Sequence, residues 1–217
     1  MSKSQNFLNL KKLLLRYEVW GEKPHNYRCL AGGKETGTTG KYQIPVEKEK
    51  DLLTFKFLSR ALGRGAVLSP VWNEIHPLII DCDNEELIFD EIFPKILAII
   101  KDFFPKAKYD HYIEKSKAFE KYHVIFPEIF VNQAVTRTLN QQINQKLGKD
   151  TVDEAIERQA VRFPNTWKPQ RNENREIIGF KKNTHYVPVG RKKLTLQEFL
   201  TIRNLRREGD LTPVNEN

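Results

Sequence analysis

The chain has 217 residues, 39% of them hydrophobic and 29% charged, with 36 Lys and Arg against 28 Asp and Glu for a net charge of +8. That length suits one sizeable domain with a full hydrophobic core, and no apolar run approaches the roughly 18 residues a membrane-spanning helix needs. The two cysteines, Cys29 and Cys82, belong to no CxxC or other metal-ligand cluster; neither structural zinc nor a disulfide framework is expected, which suits a soluble protein in a reducing intracellular compartment.

In chain order, residues 7–17 read as a helix with Leu8, Leu10, Leu13 and Leu14 on one side. The same N-terminus lacks an uninterrupted apolar core and a small-residue cleavage site, so a signal peptide is not expected. Residues 21–40 are polar and turn-rich, and their glycines form neither GxGxxG nor GxxxxGK[ST]. Residues 42–45 look extended, and 51–62 read as a helix through Leu52, Leu53, Phe55, Leu58 and Leu62. The run HPLIIDCD, residues 76–83, reads as a buried strand that ends in acids. Residues 86–104 come next as a helix, kinked or restarted at Pro94.

Strands are expected at 109–113 and 122–126, and a helix at 132–147 with Val135, Leu139 and Ile143 as its apolar stripe. Residues 152–156 fit a short strand or a helix start. Residues 163–175 read as a Pro-containing loop, 177–180 and 185–189 as paired strands, and 194–207 as a basic helix capped by Thr195 with Glu198 three residues on. One domain over residues 1–208 and a frayed tail over 209–217 are expected. Helices and strands alternate without a βαβ rhythm, which points to an α+β domain with a largely antiparallel sheet.

The charge is uneven. Residues 161–207 hold twelve Lys or Arg and three Glu, a net of +9, so the remainder is close to neutral. Such a field suits a polyanion, nucleic acid or nucleotide above all; otherwise it is a solvated basic face.

Three stretches can carry chemistry. In Asp81-Cys82-Asp83, strand alternation puts both carboxylates on one face and the thiol on the other. Two acids this close repel unless a cation lies between them, and oxygen ligands suit Mg²⁺ or Mn²⁺; the plainer reading is a polar strand exit. In KYHVIFP, His123 shares a face with Lys121 and Ile125, a pairing that could hold a triphosphate. Further on, Asp153 could complete a carboxylate set, and Arg162 and Lys168 could grip phosphates.

The order of these stretches resembles the archaeo-eukaryotic primase superfamily: Asp-x-Asp, a His before an apolar strand, a lone Asp, then Arg and Lys. HPLIIDCD, KYHVIFP, VRFPNTWK and the interrupted Gly32-Gly33 with GKYQIP resemble most closely the primase domains of large DNA virus and phage helicase-primases, over residues 32–168. The resemblance implies an RRM-like sheet flanked by helices, with an N-terminal α/β unit. It implies a primase or primase-polymerase that transfers nucleotides from NTP or dNTP onto single-stranded DNA with two Mg²⁺ or Mn²⁺ ions, in viral or phage DNA replication.

By position, Asp81, Asp83 and Asp153 would be the metal ligands, with Asp150 as the alternative third. His123 and Lys121 would contact the nucleotide, Lys121 standing where the family usually has Ser. Arg162 and Lys168 would meet phosphate or template. Lys181, Lys182, Arg191, Lys192 and Lys193 would hold template backbone, and Trp167 is either loop packing or a stacking platform. With no Walker A motif here, a helicase partner would occupy the same longer protein or another chain. A non-catalytic single-strand-binding module and a two-metal nuclease are the alternatives.

Overall fold

The computed structural model describes residues 12, 14–20, 27–29, 40–45, 47–48, 68–70, 74–154, 168–174, 177–181, 186–189, 192, 195, 198 and 211–215. They form a mixed α+β protein of antiparallel sheets flanked by helices. The chain divides into two compact units, Met1–Trp72 with Ala160–Tyr186 and Asn73–Gln159 with Val187–Asn217. Among the described residues no helix is long and apolar enough to cross a membrane.

Among the described residues, one sheet of the first unit is made of four short strands, β1 (Glu18–Val19), β2 (Tyr27–Cys29), β3 (Gly40–Tyr42) and β4 (Leu68–Pro70), in the order β1-β3-β2-β4. Leu14, Tyr42 and Ile44 are its buried apolar residues. Strand β2 falls inside the stretch read as polar and turn-rich. Of the helix expected over 7–17, residues 12 and 14–16 are described and helical; the helix expected over 51–62 lies outside the described residues.

The second unit is built on β5 (His76–Cys82), β6 (Tyr112–Ser116) and β7 (Tyr122–Val131), with β10 (Tyr186–Val189) at one edge and the order β10-β6-β7-β5. Two helices, α1 (Phe89–Phe103) and α2 (Gln133–Leu147), share one core with this sheet. Strand alternation decides what enters it. Leu78, Ile80 and Cys82 of β5 join Val124 and Phe126 of β7, against Phe89, Ile96, Ile100, Leu139 and Ile143 of the helices. Burying an Ile or Phe fully contributes about 1.5–3 kcal/mol. Tyr122 stacks on Phe89 at 3.9 Å, so its neighbours Lys121 and His123 are left to the opposite face.

The structure departs from the sequence-based expectations at several places. Helix α1 runs unbroken through Pro94. The proline sits in the second turn on an exposed stretch, so only the exposed Asp90 carbonyl loses its helical donor and water can replace it. Strand β7 continues past Pro127 to Val131 because the register against β5 jumps there: Pro77 pairs with Phe130 and Leu78 with Phe126. The bulge absorbs a residue that cannot donate a ladder hydrogen bond.

The pairing expected between 177–180 and 185–189 does not form. Strand β9 (Ile177–Lys181) pairs instead with β8 (Lys168–Arg171), inside the stretch read as a loop, while β10 joins the edge of β6. The tail read as frayed is hydrogen bonded over Leu211–Asn215. Phe130 N–H donates to Thr212 Oγ1, Thr212 N–H to the Phe130 carbonyl, and Asn215 N–H to the Phe103 carbonyl, at 2.8, 2.9 and 2.9 Å.

The cap expected at Thr195 forms, and Asn132 supplies another that was not read from the sequence. Asn132 accepts from Val135 N–H at 3.0 Å to open α2. Thr195 Oγ1 accepts from Glu198 N–H at 3.1 Å while Glu198 Oε2 accepts from Thr195 N–H at 2.7 Å, the reciprocal box read from the sequence. Hydrogen bonds to the carboxyl from the Thr195 backbone N–H, and then from its side chain, hold Glu198 below its usual range. Thr195→Ala should cost about 1 kcal/mol, read as a fall of roughly 3 °C in melting temperature.

Candidate functional site

Three neighbouring strands of the second unit set one row of ionisable side chains. The register places Asp81 of β5 opposite His123 of β7, and Glu114 of β6 opposite His123 from the other side. His123 Nε2 lies 3.6 Å from Asp81 Oδ1, and its Nδ1 lies 3.8 Å from Glu114 Oε2. The row is nearly closed to solvent: His123 is 7% exposed and Glu114 is 1% exposed.

A second pair stands one step nearer the strand end. Lys121 Nζ is 3.1 Å from Asp83 Oδ1 and 3.6 Å from Glu85 Oε1. Asp81 meets His123 and Asp83 meets Lys121, and those two bases lie two residues apart on one strand. Both acids therefore project to one face, as the alternation predicted. Cys82 points to the core, where burial first, then Asp81 and Asp83, push its thiol up to about 12. It is an inert packing group.

The third acid comes from the turn after α2. Gly148, at φ 114, ends the helix in a conformation that favours glycine, and its N–H donates to the Asn144 carbonyl. Two asparagines one turn apart on α2 then hold the chain from Val152 to Glu154. Asn144 Oδ1 accepts from Val152 N–H at 2.9 Å, and its Nδ2 donates to the Val152 carbonyl at 3.0 Å and to Glu154 Oε1 at 3.1 Å. Asn140 Nδ2 donates to the Asp153 carbonyl at 3.0 Å. So held, Asp153 donates its N–H to the Asp81 carbonyl at 2.9 Å. The backbone bond to Asp81 belongs to Asp153, whereas Asp150 occupies an exposed turn at φ 63.

Burial works against the charged form of His123, but Asp81 and then Glu114 outweigh it and raise its pKa from 6.5 to about 9. Partial burial likewise opposes the Lys121 ammonium, and Asp83 followed by Glu85 outweighs it and raises its pKa. Both side chains are thus cations beside the acids at neutral pH. With divalent cations removed, protonation of His123 contributes stability that is complete below 6.5 and is lost as pH rises through about 9. Denaturant midpoints in EDTA should fall more steeply across that window in the wild type than in His123→Gln.

The remaining predicted residues separate. Lys168 and Lys181 become direct register partners in the β8–β9 hairpin of the first unit. Lys192, in the second unit, donates to Asp110 Oδ1 at 2.8 Å on the surface, which raises its pKa. Arg162, Trp167, Lys182, Arg191 and Lys193 lie outside the described residues.

No protein-family model and no curated protein matches the chain. Among the described residues no three His, Cys, Asp or Glu side chains gather into a ready metal cage. Asp81 Oδ1 is nevertheless a buried acceptor with no hydrogen-bond partner. Asp83 on the same face is a second hard oxygen donor and the Cys82 sulfur faces away, so these acids fit Mg²⁺ or Mn²⁺ better than a soft metal, with His123 and Lys121 as the cations beside them in this structure.

Sequence reasoning missed Glu114, Glu85, Asn140 and Asn144. The asparagines carried a readable signal, since a spacing of four puts both on one helix face. Glu114 was lost because the strand was expected to end at residue 113.

Proposed function

We propose that the chain is the catalytic portion of a primase or primase-polymerase, with an archaeo-eukaryotic primase fold, that joins nucleotides on a single-stranded DNA template. One observation carries this reading: Asp153 donates its backbone N–H to the carbonyl of Asp81, so a lone acid remote in sequence meets the strand end that bears Asp81 and Asp83. The order of motifs in the sequence calls for that meeting. A polar strand exit does not.

In this reading Asp81, Asp83 and Asp153 hold two Mg²⁺ or Mn²⁺ ions. Bound cations of this kind neutralise a triphosphate and favour in-line displacement. The 3′-hydroxyl oxygen bonds to the α-phosphorus, its proton passes to solvent, and pyrophosphate leaves. His123, its two nitrogens turned to Asp81 and Glu114, fixes the charge and position of the Asp81 carboxylate and adds positive charge behind the phosphates. Lys121, paired with Asp83, would supply positive charge to the triphosphate. The paired Lys168 and Lys181, with Lys192 and the residues Arg162, Lys182, Arg191 and Lys193, supply positive charge for phosphate and template backbone. A replicative helicase, on the same longer protein or another chain, is the expected partner.

The test is incorporation of labelled ribo- and deoxyribonucleotides on single-stranded DNA, with and without primer, in Mg²⁺ or Mn²⁺. Template-dependent products support the reading. Shortening of the DNA instead would make the protein a two-metal nuclease. Salt-sensitive binding without either product would make it a non-catalytic single-strand-binding module, the reading favoured by the ion pair of Lys121 with Asp83.

A further inference from the structure

Strand β6 alternates in burial, and the positions it turns inward are Glu114 and Ser116. A glutamate is almost never this buried unless it is paired. Removing a carboxylate from water costs several kcal/mol, and the cost persists unless an opposite charge and hydrogen bonds offset it. Glu114 Oε1 is buried without a hydrogen-bond partner, and Oε2 faces His123 Nδ1 at 3.8 Å. The acid therefore sits at a cost to the fold, which calls for a reason beyond packing. A Leu or Met at this position would fill the space without that cost.

The reason lies in the shape of the row. The imidazole has its two nitrogens on opposite edges, and both donate when the ring is charged. Asp81 meets one edge and Glu114 the other. A ring flip would turn carbon toward both acids, so the two carboxylates together select one orientation. We infer that Glu114 is a positioning residue, whose buried carboxylate holds the His123 ring with Nε2 toward Asp81. Its functional meaning rests on the reading of Asp81 and His123 as part of a nucleotidyl-transfer site; the orientation of the ring does not.

Glu114 then acts through His123 alone. Partners that orient a site residue from behind cost roughly 10–100-fold when removed. Glu114→Gln keeps the shape and removes the charge. Two readouts on the full chain separate this role from packing. The first is the imidazole ¹⁵N and N–H spectrum of His123 with labelled histidine. It should move in Glu114→Gln, while the spectra of His76 and His111 stay in place. The second is the affinity for inorganic tripolyphosphate in Ca²⁺. Glu114→Gln should weaken it about tenfold in the wild type and leave it unchanged in a His123→Gln background.

An unmoved His123 spectrum overturns the inference, as does equal weakening in both backgrounds. Absence of tripolyphosphate binding by the wild type would count against the nucleotidyl-transfer reading, and the spectrum would still decide the role of Glu114. Should Glu114→Gln fail to fold, the double variant with His123→Gln decides. Recovered folding supports the coupling, and failure to recover overturns it.

Discussion

Asp81→Asn should lower template-directed nucleotide incorporation by a factor on the order of 10³ or more, since losing one preorganised charge contact commonly costs 10²–10³ and this one would also anchor an ion. Asp83→Asn should do the same. Neither variant should unfold, because each displaced cation keeps a second acid. His123 keeps Glu114 at 3.8 Å when Asp81 is neutralised, and Lys121 keeps Glu85 at 3.6 Å when Asp83 is neutralised. Thermal melts beside the incorporation assay check both halves. Incorporation equal to wild type in both variants would remove these acids from the chemistry.

Asn144→Ala carries the second large effect. Its side chain makes three hydrogen bonds to the turn that delivers Asp153, two of them to the backbone of Val152, which is 2% exposed. Truncation leaves a buried N–H and a buried carbonyl without those partners. Such groups cost about 1–3 kcal/mol each, so denaturation should show a loss of about 2–4 kcal/mol, given that neighbouring groups relax. Activity should also fall by about a hundredfold, the scale expected when a catalytic group moves by about 1 Å. Asp153 would retain its bonds to Asp81 and Asn140, so residual activity should remain, unlike in Asp81→Asn. Full activity in Asn144→Ala would show that the turn needs no such clamp.

Much of the site was legible because strand alternation is a rigid rule. Asp81 and Asp83 on one face, Cys82 on the other, and His123 with Lys121 opposite Tyr122 all derive from a period of two. The cap at Thr195 was legible because few side chains can satisfy the first N–H groups of a helix. What the sequence hid depends on partners. Nothing local tells β9 to pair with the polar β8 rather than with the apolar β10, which lies closer in sequence and shows the stronger strand pattern. A proline inside an expected helix signals a kink only where its missing hydrogen bond matters, and the exposed second turn of α1 tolerates it. Glu114 reads as a surface acid in isolation and gains its meaning only when β7 sets His123 against it.

The two lysines of the β8–β9 hairpin illustrate the same limit. In the sequence Lys168 reads as a nucleotide contact and Lys181 as a template contact, and the register makes them neighbours. Neither the motif nor the charge count could join them.

The most direct test is to titrate the protein with Mn²⁺ and follow the free ion by electron paramagnetic resonance, with and without a nucleoside triphosphate. The account predicts that the wild type takes up the ion, takes it up more tightly with triphosphate present, and loses both properties in Asp81→Asn. Uptake that is the same in wild type, Asp81→Asn and Asp83→Asn would contradict it.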